Sequence, residues 1–485
     1  MADRLTRRKL LTGAGAVLAA ATLPASRARA AESGGRVISK LSEYMGAAGA
    51  ASLPQEAVEK TKEHILDTFA AMVSGCDLPP AQVALKFARA HAGEKVATVV
   101  VSGQLIGPIE AAMVNGMLAH SDETDDSHAP SQSHPGCAVV PGAFAAGEQF
   151  DIDGARFLRA VALGYDIGPR VGMTLGGLPW QMAAHHSTHS ICSTFGAAAA
   201  AGCAAGLNAR QMRWLLDYAA QQAAGVAAWQ RDTDHIEKSL VFAGMPARDG
   251  VSAALLIQLG GTGVDDIFSG ADNFLLTFSP KADPAGLIDK LGDRYEITRT
   301  NIKKWTVGSP VQAPLDALEN LRKRQPFEAS DVQKVVVRVA TSEAKTVNNR
   351  EMPDISLQHL VAVMLLDKTV SFRAAHDKPR MQDPAVLRER AKVELVPDEE
   401  LERLYPRRET IVEVTLTSGM KLTERITGVR GTAENPMTRD EVVAKCRDLM
   451  SPVLGAARCN QLIERIMDLE KVKSVRELGP LVQRA

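Results

Sequence analysis

Aromatic residues are scarce: Phe, Trp and Tyr make up 4% of the 485 residues. That disfavours a β-sandwich filled by large rings. The abundance of Ala and Gly points instead to helices packed closely through small side chains. The six cysteines (Cys76, Cys137, Cys192, Cys203, Cys446, Cys459) are far apart and show no CxxC spacing. A zinc motif is thereby excluded, a disulfide scaffold is not needed in so long a chain, and free buried thiols are the expected state. Nor is there an excess of positive charge. The chain has 56 Lys and Arg against 57 Asp and Glu, so a nucleic-acid partner is excluded.

What charge asymmetry exists lies at the N-terminus. Residues 1–30 carry Arg4, Arg7, Arg8, Lys9, Arg27 and Arg29 against Asp3, a net +5 that leaves −6 for the rest. Arg7-Arg8 precedes an apolar run from Leu10 to Leu23, and Ala28-Arg29-Ala30 follows. A basic region, a short apolar region and a small-x-small site read as a signal peptide. The paired arginines point to the twin-arginine route and a periplasmic destination. The apolar run is too short to span a bilayer and contains Gly13 and Gly15, so it is not read as a membrane anchor.

With 45% apolar residues, the length exceeds what one simple core needs, and two domains are expected. Helical periodicity runs from about residue 36 to 303. It is clearest over 53–74, where Pro54 opens the segment and Gly75 closes it, and it extends through 108–120, 154–171, 190–206 and 209–224. After about residue 304 the pattern changes. Val335, Val337 and Val339 alternate with Val336 and Arg338, and the runs 411–417 and 420–426 flank a Ser418-Gly419 turn, so strands are expected. A helix over 356–366 intervenes. Thr438 and Glu441, in capping-box spacing, start helices over 437–485 that return to the first domain. The expected class is mainly α with a smaller α/β domain: a discontinuous helical domain (36–303 and 437–485) with an inserted α+β lid (304–436).

The densest polar cluster is His120-Ser121-Asp122-Glu123-Thr124-Asp125-Asp126-Ser127-His128, followed by His134-Pro135-Gly136. Carboxylates and imidazoles at the end of an apolar helix suit acid/base chemistry. The same residue types suit a divalent metal, and a solvated loop with local caps would look alike. Asp125 and Asp126 fit capping a helix or orienting His134 as well as direct chemistry. The histidines His64, His91, His235, His359 and His376 stand alone and read as structural or exposed. Taken singly, Lys238 and Lys303-Lys304 read as surface positions.

These segments, taken in order, resemble the MmgE/PrpD family. The resemblance rests on Ala119-His120 through Ser127-His128, then His134-Pro135-Gly136, Gly164-Tyr165-Asp166-Ile167 and the run Phe195-Gly196-Ala197-Ala198-Ala199. It continues in Lys238-Ser239-Leu240, Gly244-Met245-Pro246-Ala247-Arg248-Asp249-Gly250, Lys303 ahead of Leu315-Asp316-Ala317, Val347-Asn348 and Asn435-Pro436-Met437-Thr438. It spans roughly residues 36–480.

That resemblance implies a helical domain with an α/β lid, a homodimer, and a site between the domains that needs no cofactor and no metal. The implied substrate is a small di- or tricarboxylate, and the implied reactions are those of 2-methylcitrate dehydratases, cis-aconitate decarboxylases and iminodisuccinate epimerases. It makes His134 the acid/base residue and places Glu123, Asp125, Asp126 and Ser127 in the site. It also brings one histidine ahead of the Phe195-Gly196 helix, for which spacing favours His186 over His185 and His189. Lys238 and Lys303 would bind substrate carboxylates. Thr346 stands where decarboxylase-like members carry a tyrosine, which removes a phenolic donor. A metal-dependent hydrolase and a non-catalytic carboxylate-binding protein are the competing expectations.

Overall fold

Small side chains decide the architecture of the larger part of the molecule. The computed structural model of the chain describes residues 35–485, so the signal peptide read over 1–30 lies outside the described residues. The first domain opens with a helix over 35–47, followed by α1 (Gln55–Ser74), α2 (Pro108–Ala119), α3 (Gly136–Phe150), α4 (Gly154–Leu175), α5 (Thr188–Ala205) and α6 (Met245–Gln258). Helix α5, all Ala, Gly, Ser and Cys on much of its surface, is buried along nearly its whole length. It packs against α3, α4 and α6. At the crossing of α4 and α5, a Cβ on Gly168 would meet the Cys192 carbonyl oxygen at 2.5 Å, and one on Gly196 would meet Gly164 O at 2.9 Å. Only glycine lets the two backbones approach this closely.

The apolar run Ile236–Gln258 is long and apolar enough to cross a membrane, yet 61% of its most apolar 18-residue stretch is buried inside the protein. Here it is a core helix, with Val251, Ala254 and Ile257 in the interior. All six cysteines are free and buried.

Apolar residues gather into two cores. One draws on residues 37–302 and again on 437–482; the other on 305–429 alone. The second core lies under a four-stranded mixed sheet in the order β2-β1-β3-β4, formed by β1 (Val332–Ala340), β2 (Val393–Asp398), β3 (Thr410–Leu416) and β4 (Lys421–Ile426). β2 runs parallel to β1, and β3 and β4 are antiparallel neighbours. Every second residue of β3 is buried, as expected when one face packs and the other meets water. Helices α7 (Ser309–Arg324) and α8 (Leu357–Asp367) supply the apolar cover, through residues such as Leu315, Leu318, Leu360 and Val361. The chain then returns through α9 (Arg439–Leu454), whose Thr438–Glu441 capping box is formed. Helix α9 packs on α1. The protein is therefore mainly α with a smaller α/β domain, as its sequence pattern predicts.

Candidate active site

The loop that follows α2 is unusual in being buried. From His120 to His134 only Ala129 and Pro130 reach even partial exposure. A buried loop must find partners for its polar groups, and most of those in this loop do, although His120 Nε2 has none among the described residues. Asp122 accepts from the Thr124 amide and hydroxyl at 2.9 and 2.6 Å. Ser127 and Asn301 exchange backbone hydrogen bonds of 3.0 and 2.8 Å. Beneath it, His128 Nε2 lies 3.3 Å from Glu296. Glu296 also takes Arg294 and Arg299 at 2.7 Å each, and it titrates at about 2: burial opposes this, but His128 and the arginines outweigh it.

Asp125 is the centre of the loop's inner face. Its two oxygens lie 3.0 Å from His120 Nδ1 and 3.2 Å from His134 Nδ1. A carboxylate only accepts, so both histidines donate from Nδ1 and keep Nε2 as the free nitrogen. Burial alone would raise the Asp125 pKa; His120, His134 and Lys303 outweigh it and hold the carboxyl well below the usual range. Burial lowers the pKa of His134 more than Asp125 raises it, so its imidazole is neutral at neutral pH and competent as a base.

Two ammonium groups lie beside this relay. Lys238, from the helix Ile236–Ser239, is in contact with the Glu123 carboxylate. Lys303 donates to the Glu123 carbonyl at 2.8 Å and lies 3.7 Å from both the Glu123 and Asp125 carboxylates. Glu123 is fully charged: burial opposes ionisation, but Lys238 and Lys303 override it.

The chain reaches α6 through a π-helical turn, Leu240–Gly244. Pro246 cannot donate the bond that a regular helix would need there, and such turns recur at functional sites. The turn presents Phe242 to the site, stacked on His189 (4.0 Å between ring centres) and on His120 (4.8 Å). Lys238 Nζ lies 5.1 Å above the Phe242 ring.

The second domain closes over this surface. His376 Nε2 lies 2.7 Å from Asp122 Oδ2. Asp122 and Asp354 raise the His376 pKa to about 9 in spite of its burial. Asp354 itself, desolvated and near Glu123 and Asp122, is pushed up to about 6. Tyr405 donates to the Gln132 side chain at 3.1 Å, next to His134 in the loop, and Arg408 pairs with Glu343 and Tyr405.

The structure thus brings His134, Glu123, Asp125, Lys238 and Lys303 together. Asp126 lies on the opposite face of the loop: it holds His64 Nδ1 at 2.8 Å, the Tyr165 hydroxyl at 2.5 Å and the Gly136 amide at 3.0 Å. That is a scaffolding position, which corrects its assignment to the chemistry. Ser127 sits at the seam between the domains, its hydroxyl 3.5 Å from that of Ser309. His186 is a second correction. It stacks on Trp180 (5.6 Å) and faces Phe278 (5.3 Å), while His189, on the first turn of α5, approaches His134 at 5.2 Å between ring centres. Thr346 is a third: it is exposed, and its hydroxyl turns back to the Ser342 carbonyl at 3.1 Å.

His120, Asp125 and His134 place three potential metal ligands within 4.8 Å of one another. The Lys303 ammonium, 3.7 Å from the same carboxylate, would face any dication held there. The donor set is therefore better suited to moving protons than to binding a metal.

Comparison with known proteins bears on the whole of this frame. The MmgE/PrpD N-terminal domain model matches residues 39–286 and the MmgE/PrpD C-terminal domain model residues 305–469. The chain belongs to the MmgE/PrpD family. Its relatives include a cis-aconitate decarboxylase-like protein of Aspergillus oryzae, 23% identical over 92% of this chain and 97% of that protein. They also include the cis-aconitate decarboxylases of Aspergillus terreus (24%, covering 89% and 92%) and Homo sapiens (26%, covering 89% and 91%). The protein is accordingly an MmgE/PrpD enzyme of the decarboxylase and dehydratase type.

Several residues of this MmgE/PrpD site carry no local signal in the sequence. His235 and His376, read as structural or exposed, both lie at the site. Arg408 and Tyr405 reach it from the other domain. For His189 a signal exists: Ser187 caps α5 by accepting from the Ser190 amide at 3.3 Å. A Ser three residues ahead of an amide it can cap marks a helix start, which leaves His186 outside the helix and His189 on it.

Proposed function

We propose that the protein is a cofactor-independent lyase that removes a proton from a carbon beside a carboxylate of a di- or tricarboxylate, in the manner of a 2-methylcitrate dehydratase. The observation that carries this reading is Asp125, which holds two imidazoles by Nδ1 with Nε2 free, beside two ammonium groups in a water-poor site. His134 Nε2 takes the proton. The electron pair left on carbon forms the double bond as the neighbouring C–O bond breaks, and the hydroxyl takes the proton back from His134 and leaves as water. Negative charge that builds on the substrate carboxylate during the step is stabilised by Lys238 and Lys303, whose positions are fixed before reaction. An incoming carboxylate competes with Glu123 for Lys238, so binding is an exchange of one ion pair for another.

Loss of CO2 is the second reading, favoured by the names of the relatives. There a carbon–carboxylate bond breaks and His134, once protonated, returns a proton to carbon.

The test is turnover of a panel (2-methylcitrate, citrate and cis-aconitate) in the presence of a chelator, followed by absorbance of the unsaturated product and by CO2 release. We expect turnover of one member by the wild type, with His134→Ala folded and inactive. Activity that needs added metal would favour a hydrolase on the His120–His134 cluster, and tight binding without turnover a non-catalytic carboxylate-binding protein. We also propose export, on the strength of the Arg7-Arg8 leader, and a homodimer, on the strength of the family resemblance; cell fractionation and light scattering test them.

A further inference from the structure

Where the two domains meet at the tip of the 120–134 loop they leave a cleft of about 280 Å³. The first domain lines it with Ala129, Pro130 and Arg299, the second with Arg407, Arg408 and Glu434. None of His134, Glu123, Lys238 and Lys303 is in its wall, so it is distinct from the reaction site. It lies between domains, where ligand sites are favoured, and at the small end of their size range.

Three guanidinium groups thus line one cleft with Glu434. Each has a carboxylate behind it, but two of those carboxylates are shared. Glu296 serves His128 and Arg294 as well as Arg299. Glu409 accepts from Arg425 at 3.1 and 2.9 Å. It lies 3.9 Å from Arg407, beyond hydrogen-bond reach, so the Arg407 guanidinium keeps its donors free among the described residues. Arg408 is deeper, its side chain 19% exposed. Its terminal nitrogens reach Glu343 and the Tyr405 hydroxyl, and the rest of its five N–H donors have no partner among the described residues.

Like charges gathered around one cleft repel each other, and an anion between them offsets that while taking up the spare donors. We propose that this cleft is a second anion-binding site, in which Arg299, Arg407 and Arg408 hold a small polyanion with charged oxygens, a polycarboxylate or a phosphate. One wall is the tip of the catalytic loop and the other is the second domain. Tyr405 carries the link from Arg408 to Gln132, beside His134 in the chain. An occupant therefore fastens the second domain to the loop that holds the acid/base pair. The site does not depend on which reaction the protein catalyses.

The probes are citrate and inorganic pyrophosphate, titrated by calorimetry into the wild type, Arg407→Gln and Glu434→Gln. Both positions are exposed, so both variants should fold. We expect one probe or both to bind the wild type at a site that Arg407→Gln weakens by about fivefold or more and Glu434→Gln tightens by about twofold or more, as befits charges that water partly screens. The tightening excludes general damage to the fold as the cause. The probe that binds this site more strongly tells a polycarboxylate from a phosphate. Binding that neither variant moves belongs to the reaction site or elsewhere. If no binding event responds to both variants, or if neither probe binds the wild type, the cleft is not an anion site. The carboxylate reading of the reaction site, tested by turnover, is untouched by that result.

Discussion

The two faces of the 120–134 loop differ in what their histidines are left to do. On the inner face Asp125 holds His120 and His134, and two lysines stand beside them. On the outer face Asp126 spends itself on a tyrosine hydroxyl, a backbone amide and His64, with neither lysine near. The aspartates are adjacent, equally buried and equally part of one polar run. What separates them is the environment that the fold turns each towards. Gly136 shows how tight the outer face is: a Cβ there would meet the Tyr165 hydroxyl at 2.5 Å and Asp126 at 2.9 Å. The outer face fixes the loop, and the inner face can then hold its two imidazoles in place on Asp125.

This division can be broken by substitution. Asp126→Ala leaves three buried donors without an acceptor, and should cost about 3–5 kcal/mol of stability, read by denaturant unfolding. Asp125→Asn keeps the shape but loses the charge that orients both histidines. It should lower kcat by about 10²–10⁴ while destabilising less than Asp126→Ala. Equal stability losses with unchanged kcat would erase the distinction.

A smaller effect concerns the clamp between the domains. The His376 pKa is raised, so the stability it contributes is complete below about 6.5, its ordinary value, and is lost as pH climbs through about 9. Asp122, burial notwithstanding, is held below its ordinary value by His376, and its share is lost on acidification. Thermal melts from pH 7 to 10 should therefore fall more steeply for the wild type than for His376→Gln; parallel slopes would remove the clamp. Smallest of all, His186→Ala should leave kcat unchanged and cost less than about 1.5 kcal/mol, the worth of one aromatic stack.

The fold was readable because its signals are local. Alternation marks β1, β3 and β4, the Thr438–Glu441 box marks α9, and small-residue runs mark the buried α5. The core of the site was readable in part, since Glu123, Asp125 and His134 share one loop. That Lys238 and Lys303 belong to the site rests on family resemblance and not on periodicity, and their convergence on Glu123 is visible only in the structure. His376, Tyr405 and Arg408 were not readable at all. His376 and Tyr405 meet Asp122 and Gln132, far back in the chain, and Arg408 is held by Tyr405 and Glu343; nothing in their own neighbourhoods distinguishes them from surface positions. The outward turn of Asp126 escaped for a related reason: its direction is set by Tyr165 and His64, on two other helices.

The most direct test of the account is proton exchange. The carboxylate panel is incubated in D2O with a chelator, and NMR follows deuterium entering at the carbon beside a carboxylate. The account predicts exchange into one panel member or its product with the wild type, and none with His134→Asn. Exchange that survives in His134→Asn, or that appears only when a divalent metal is added, would contradict it.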